Sequence, residues 1–270
     1  MKLVFSLLLL SLNIYSVEHT FLNICINNTN YTTSTQHTIK MIKKNYNTKN
    51  CNDIYEIISE NKSLTLMDSV YNLYAISKLE NIENLTLIAD LPNNSTQKLD
   101  LKYIIKLKNL KSLNLSFYKL EDYKQLNQLA PLESLTLLSP TLSFYNPSNY
   151  DLSNNIHINT LLYESKNLLG LKYLTFSGYN IKHVDSFSKL KDIKRLFLAD
   201  NNFNNITGIK DLKNIFQLDL MNNPLDEYFK KINYKGGYLI LNKEDINSLQ
   251  TLIKKHENII KEALKKTTYN

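Results

Sequence analysis

Apolar positions along this chain recur in one fixed spelling. Leu171-Lys172-Tyr173-Leu174-Thr175-Phe176, Ile193-Lys194-Arg195-Leu196-Phe197-Leu198 and Ile215-Phe216-Gln217-Leu218-Asp219-Leu220 follow one another at a step of 22 residues. Leu110-Lys111-Ser112-Leu113-Asn114-Leu115 and Leu132-Glu133-Ser134-Leu135-Thr136-Leu137 stand at the same step, and Ile82-Glu83-Asn84-Leu85-Thr86-Leu87 precedes them. A weaker unit opens at Leu64-Thr65-Leu66 and continues through Val70, Leu73, Ile76 and Leu79. In each unit the apolar/polar alternation predicts a short strand with its apolar residues turned inward. Behind the strand, apolar residues come at every third position, as at Leu120, Tyr123, Leu126 and Leu129, or Ile181, Val184, Phe187 and Leu190. That spacing suits a tight 3₁₀ turn packed on the same core. No unit can bury its own apolar face, so the units must stack into a solenoid with a parallel sheet. Strands are expected near Leu85, Leu113, Leu135, Leu174, Leu196 and Leu218.

The spelling is most complete at Ile193, Leu196, Leu198, Asn201 and Phe203, continued by Ile206, Ile209 and Leu212. It resembles the leucine-rich repeat over roughly residues 61 to 242, and the 22-residue unit with its period-three tail resembles the SDS22-like class shared with bacterial internalin repeats. The resemblance implies an α/β fold: a right-handed leucine-rich-repeat solenoid with a parallel inner sheet and helical N- and C-terminal caps. It also implies a non-enzymatic module that binds another protein on its concave face. The chain departs from the pattern at the asparagine position, kept only at Asn201 and Asn223 and replaced elsewhere by Ser69, Asp90, Tyr118, Pro140 and Tyr179. A less regular first half is expected. The interval from Ile82 to Leu110 is 28 residues, which predicts an excursion near Pro92 to Ser95. The interval from Leu132 to Leu171 is 39 residues, a long loop or a degenerate repeat with a strand near Ile156-His157-Ile158. The partial pattern at Tyr145, Leu152 and Leu168 favours the repeat.

The chain divides into four parts. Residues 1 to 16 read as a signal peptide: Lys2 is basic, Leu3 to Leu12 is apolar but too short to span a bilayer, and cleavage is expected after Ser16. An uncleaved anchor is the alternative. Residues 17 to 52 form an Asn/Thr-rich N-terminal segment, of which 26 to 50 read as loop or disorder. Residues 53 to 242 hold the solenoid, opened by a cap helix with Asp53 at its cap and Ile54, Ile57 and Ile58 on its apolar face. Tyr238 to Leu241 would add a last strand. Residues 243 to 270 form a C-terminal cap helix and tail, with a core-facing stripe of Ile246, Leu249, Leu252, Ile253, Ile259, Ile260 and Leu264. Lys254, Lys255, Lys261, Lys265 and Lys266 would be its solvated side. Cys25 and Cys51 are the two cysteines, with no Cys-x-x-Cys. In an oxidising compartment they would pair as a disulfide; otherwise they are two free thiols.

The net charge of +7 raises nucleic-acid binding. The strand register argues against it. The inner-face positions hold Ser112, Asn114, Ser116, Ser134, Thr136, Tyr173, Thr175, Ser177, Arg195, Phe197, Asp219 and Met221, with one basic residue among them. Lysines such as Lys172, Lys189, Lys191, Lys194, Lys210 and Lys213 fall in turns and on the outer side, a scattered charge rather than a phosphate footprint. The candidate partner-binding residues are Tyr173, Arg195, Phe197, Asp219 and Met221, with Phe117 as a further aromatic, since aromatics, Arg and Met are enriched in interface cores. No phosphate-cradling Gly loop, H-E-x-x-H or G-x-S-x-G occurs, and the five histidines are far apart. Asp200 and Asp219, on adjacent strands, read as inner-face polarity rather than a cation or acid/base pair. No catalytic residue, metal site or cofactor is expected, and no enzyme. Among the Asn-x-Ser/Thr sequons, Asn27, Asn30, Asn93 and Asn94 are the better glycan acceptors.

The expected protein is therefore secreted or at the cell surface, monomeric, and engaged with a protein partner whose identity the sequence does not name. The internalin resemblance makes a host-facing role one form of this. The alternatives are an intracellular scaffold like the phosphatase regulators of the family, a surface-coat component, or a carbohydrate-binding protein using Phe117, Tyr173 and Phe197 as a platform.

Overall fold

The computed structural model describes residues 20–68, 70, 72–90, 98–139, 166–234 and 240–267. The expected signal peptide, the excursion near residues 92–95 and the strand near residues 156–158 lie outside the described residues.

The strands expected near Leu85, Leu113, Leu135, Leu174, Leu196 and Leu218, and that of the weaker first unit, are present: β1 (Ser63–Leu66), β2 (Asn84–Ile88), β4 (Ser112–Ser116), β6 (Ser134–Leu138), β7 (Tyr173–Ser177), β8 (Arg195–Phe197) and β9 (Gln217–Asp219). They form one parallel sheet in chain order, with a two-stranded parallel side sheet from β3 (Lys98–Leu99) and β5 (Lys119–Leu120). The register places leucine on leucine: Leu64, Leu85, Leu113, Leu135, Leu174, Leu196 and Leu218 make one buried row. Leu66, Leu87, Leu115, Leu137 and Phe176 make a second. A slip of one residue would turn both rows to solvent, so the leucine spelling fixes the register. β6 pairs directly with β7.

The period-three tails form the opposite wall as 3₁₀ helices at Ile76–Lys78, Leu101–Lys106, Tyr123–Gln128, Lys166–Leu168, Asp185–Lys189 and Thr207–Ile209. Asp100 and Asp122 start two of them by accepting from the backbone N–H of Lys102 and Lys124. The last two stack so closely that a Cβ on Gly208 would overlap the Val184 carbonyl. Side chains of both walls meet in one continuous core.

The N-terminal segment differs from the expectation of loop or disorder. It folds as α1 (Phe21–Ile26), α2 (Thr33–Asn45) and α3 (Cys51–Asn61). The buried face of α2 is Thr35, Thr38, Ile39, Met41 and Ile42, and the Thr38 hydroxyl donates to the Asn72 carbonyl of the first repeat. Two of those five residues are threonine, so hydropathy alone does not reveal the face. α3 is capped by Asn50 rather than Asp53: the Asn50 side chain accepts from the Asn52 N–H and donates to the Asp53 carboxylate. Its buried residues are Cys51, Ile54 and Ile58, while Ile57 faces solvent. Cys25 of α1 and Cys51 of α3 are joined in a disulfide, with Cα atoms 5.9 Å apart.

At the other end, α4 (Asp226–Ile232) follows β9, and β10 (Ile240–Leu241) pairs with β9 in the antiparallel sense. α5 (Lys243–Thr267) closes the core, capped by Asn242, which accepts from the N–H groups of Glu244 and Asp245. Ile246, Leu249 and Ile253 are buried, Gln250 donates to the carbonyls of Ile209 and Leu212, and Glu257 meets Lys210 at 2.6 Å. The stripe does not stay on the core as expected. Ile259, Ile260 and Leu264 are exposed, because the helix is longer than the wall it covers.

Candidate protein-binding face

The sheet has one face on the core and one open to solvent. Two rows of side chains run along the open face. The first is Ser63, Asn84, Ser112, Ser134, Tyr173, Arg195 and Gln217. The second is Thr65, Thr86, Asn114, Thr136, Thr175, Phe197, Asp219 and Ile240. The early units show small polar groups. The size and the apolar character arrive together at the last three.

A third row lies at the start of each strand. The carbonyl of Lys62 accepts from the N–H groups of Glu83 and Asn84, and the same fork recurs at Glu83, Lys111, Glu133, Lys172 and Lys194, the last taking Phe216 and Gln217. The side chains alternate in sign through the first five. Glu83 lies 2.9 Å from Lys62 and 2.6 Å from Lys111, and Glu133 lies 2.9 Å from Lys172. The lysine partners hold both glutamates below the usual carboxylate range, Lys111 most strongly for Glu83 and Lys172 for Glu133. Lys172 is thus a member of a charge ladder, rather than part of the scattered charge in turns and on the outer side expected from the sequence.

Where the strands end, the backbone repeats a feature that the residue types conceal. Phe117, Gly178, Asp200 and Asn222 hold equivalent positions and all have positive φ, between 55° and 78°. A glycine adopts this freely; a phenylalanine does so under strain. The next residue is the ladder position. Asn201 is buried there, its carbonyl accepting from the N–H groups of Tyr179 and Ile181 and its amide donating to the carbonyls of Phe176, Leu198 and Ala199. Asn223 donates to Leu198, Leu220 and Met221. Tyr118 occupies the position in an earlier unit and is fully buried. Ser116 and Ser177, read as inner-face residues, are buried at the strand ends instead.

The candidate residues divide. Tyr173, Arg195, Phe197, Asp219 and Met221 come together on neighbouring strands. Phe117 does not join them: β6 separates its strand from β7, and its ring packs against the core. The sequence reading missed Phe216. It is 39% exposed, comparable with Tyr173 at 38% and Met221 at 40%. The Arg195 guanidinium carbon lies 5.3 Å from the Phe216 ring centre and 5.7 Å from that of Tyr173. An arginine so placed gains cation–π attraction from both rings. The signal for Phe216 was present: it is an aromatic residue in a row otherwise made of Lys and Glu.

Asp219 is half-buried and accepts from the Met221 N–H. Burial raises its pKa above the usual carboxylate value, the Met221 bond opposes this, and Asp200 adds to the rise. Asp200 is itself held by the Ser177 hydroxyl at 3.2 Å and the Asn222 amide at 2.7 Å. Among the described residues, no group of three or more His, Cys, Asp or Glu side chains could hold a metal ion. Among the same residues no helix is long and apolar enough to cross a membrane.

Stacked strand–3₁₀ units in leucine register, closed by an asparagine-or-tyrosine ladder, define a leucine-rich-repeat solenoid. No protein-family model and no curated protein sequence matches the chain. Among solved structures it is similar to an internalin (inlF) of Listeria monocytogenes at 22% identity and a TM-score of 0.46, covering 63% of this chain and 44% of that one. It is similar to internalin C2 of the same organism at 20% identity and a TM-score of 0.45, covering 68% and 83%. A leucine-rich-repeat protein of Leptospira interrogans matches at 25% identity and a TM-score of 0.43, covering 67% and 48%. The chain spans less than half the length of the first and third of these.

Proposed function

We propose that this chain is an exported, monomeric, non-enzymatic module that binds a partner protein through the open face of its last repeats. One observation carries the reading. Among the described residues, exposed aromatic and Arg side chains gather on the open face at Tyr173, Arg195, Phe197 and Phe216, next to strands that present Ser, Thr and Asn, while an exposed Met stands in the first unit as Met67 and in the last as Met221. Those residue types dominate interface energetics, and rigid strands present them at low entropic cost.

Replacing Arg195 and Phe197 together by Ala tests the binding face. Partner capture should fall sharply while the melting temperature stays close to that of the parent, because neither side chain fills the core. Loss of binding on Lys191→Glu and Lys213→Glu, with the inner pair silent, would move the surface to the outer wall. Export rests on the apolar run after Lys2 and on the Cys25–Cys51 bridge, which belongs to an oxidising compartment. Expression of the full chain in a secreting cell should release a protein beginning near Val17. Retention inside the cell with an intact N-terminus would return the intracellular-scaffold reading.

A further inference from the structure

We infer that Arg195 is the receptor for a side-chain carboxylate, Asp or Glu, of a partner protein. The inference rests on the open face being the binding surface. Lysine and arginine together number 32, and Arg195 is the one arginine. Every other cation of this chain is a flexible point charge. The one planar guanidinium stands within about 6 Å of the ring centres of both Tyr173 and Phe216. Both rings lie within cation–π reach of the guanidinium, and its fork of N–H donors matches the geometry of a carboxylate.

Its charge has no ion-pair partner among the described residues. The ladder Lys62, Glu83, Lys111, Glu133, Lys172 alternates in sign, and the next place calls for an acid. It holds Lys194, and the place after it holds Phe216. Among the described residues neither Lys194 nor Arg195 has a carboxylate within 4.0 Å, whereas Glu83 serves two lysines and Glu133 one. Asp219, on the next strand, is turned to the Met221 N–H. One fork and one neighbouring lysine match one carboxylate. A polyphosphate or sulfated glycan requires a run of cations along its length, and the row beside Arg195 continues as Tyr173 and Gln217 instead.

The test is selection of displayed random peptides on the intact protein, each peptide fused through its C-terminus so that only side-chain carboxylates are offered. Enriched peptides should share an Asp or Glu. Arg195→Lys keeps the charge and loses the fork, and it should weaken the best peptide about tenfold or more. Phe216→Ala should weaken it as well, and Lys191→Glu should not. Equal affinity for Arg195→Lys would overturn the inference, since a point charge would then suffice. Enrichment of nothing, or of peptides without an acid that are lost on Phe197→Ala, would also overturn it; the second result leaves the open face as the binding surface. Peptides insensitive to every open-face substitution would remove both. Melting curves of each variant separate lost recognition from lost folding.

Discussion

The Tyr118 hydroxyl accepts a hydrogen bond from the Val70 backbone N–H at 2.9 Å, across 48 residues of sequence. Tyr118 stands at the ladder position, and from there its ring reaches back to the first repeat. An asparagine satisfies backbone within its own and the adjacent unit, as Asn201 does. A tyrosine does the work at longer range and fills the core on the way. Tyr118→Phe should therefore destabilise the fold by about 1–2 kcal/mol, read by denaturant unfolding. A change indistinguishable from zero would mean that the hydroxyl is replaceable there.

Tyr179 has the same residue at the same position and the opposite outcome. Its hydroxyl is buried and has no hydrogen-bond partner among the described residues. Tyr179→Phe should leave stability unchanged or raise it, because a buried polar atom without a partner is removed. Burial also raises the Tyr179 pKa above its ordinary value of 10. A raised folded pKa gives stability that is complete below pH 10 and falls as pH rises through the folded value. The parent should lose stability in alkali above pH 10 more steeply than Tyr179→Phe. Parallel alkaline profiles would contradict this.

Gly208→Ala should be among the most damaging single-methyl additions in the chain. The new Cβ would meet the backbone of Val184 and Asp185 in the neighbouring unit, and backbone cannot turn aside as a side chain can. Overpacking of this kind costs typically about 1–3 kcal/mol or more. A melting temperature equal to that of the parent would show that the two units can part freely.

Asp219→Asn should stabilise the protein near neutral pH. Burial and Asp200 raise the Asp219 pKa, so its ionised form is disfavoured in the folded chain. A raised carboxylate contributes most below the unfolded value of 3.8 and loses that contribution as pH rises through the folded value. The gain should therefore vanish in acid. The amide can still accept from the Met221 N–H, which keeps the turn. A variant less stable than the parent at pH 7 would reverse the assignment.

Reduction of Cys25–Cys51 should loosen the helical cap. The bridge closes a separation of 26 residues, for which chain entropy gives roughly 3 kcal/mol. Cys25→Ser with Cys51→Ser should lower stability by that order, and mapping of the parent without reductant should recover the linked peptides. Two free thiols in the secreted protein would remove the bridge from the account.

The sheet was legible because leucine at alternate positions has one reading in a stacked strand, and the register followed from Leu196 and its equivalents. α2 was not legible, because Thr35 and Thr38 are two of the five residues of its buried face and count as polar in any periodicity. The left-handed turn was hidden by chemistry: Phe117, Gly178, Asp200 and Asn222 share a backbone state and nothing else. The candidate face was partly visible. Tyr173, Arg195 and Phe197 could be placed from the strand register, whereas Phe216 lies one residue outside the strand and shows its role only through the ring that it lends to Arg195.

A parallel sheet in constant register is an open-ended template, and a solenoid of this kind has no internal reason to stop. β10 supplies one. Its two residues run against the direction of the other strands and occupy the edge of β9 that a further unit, or the first strand of another molecule, would need. A short reversed strand is a poor seed for continued stacking. Removal of Ile240 and Leu241 should expose β9 and give scattering that grows with concentration. The parallel stacking of the described strands thus ends in a change of polarity, made by two residues that belong to no repeat.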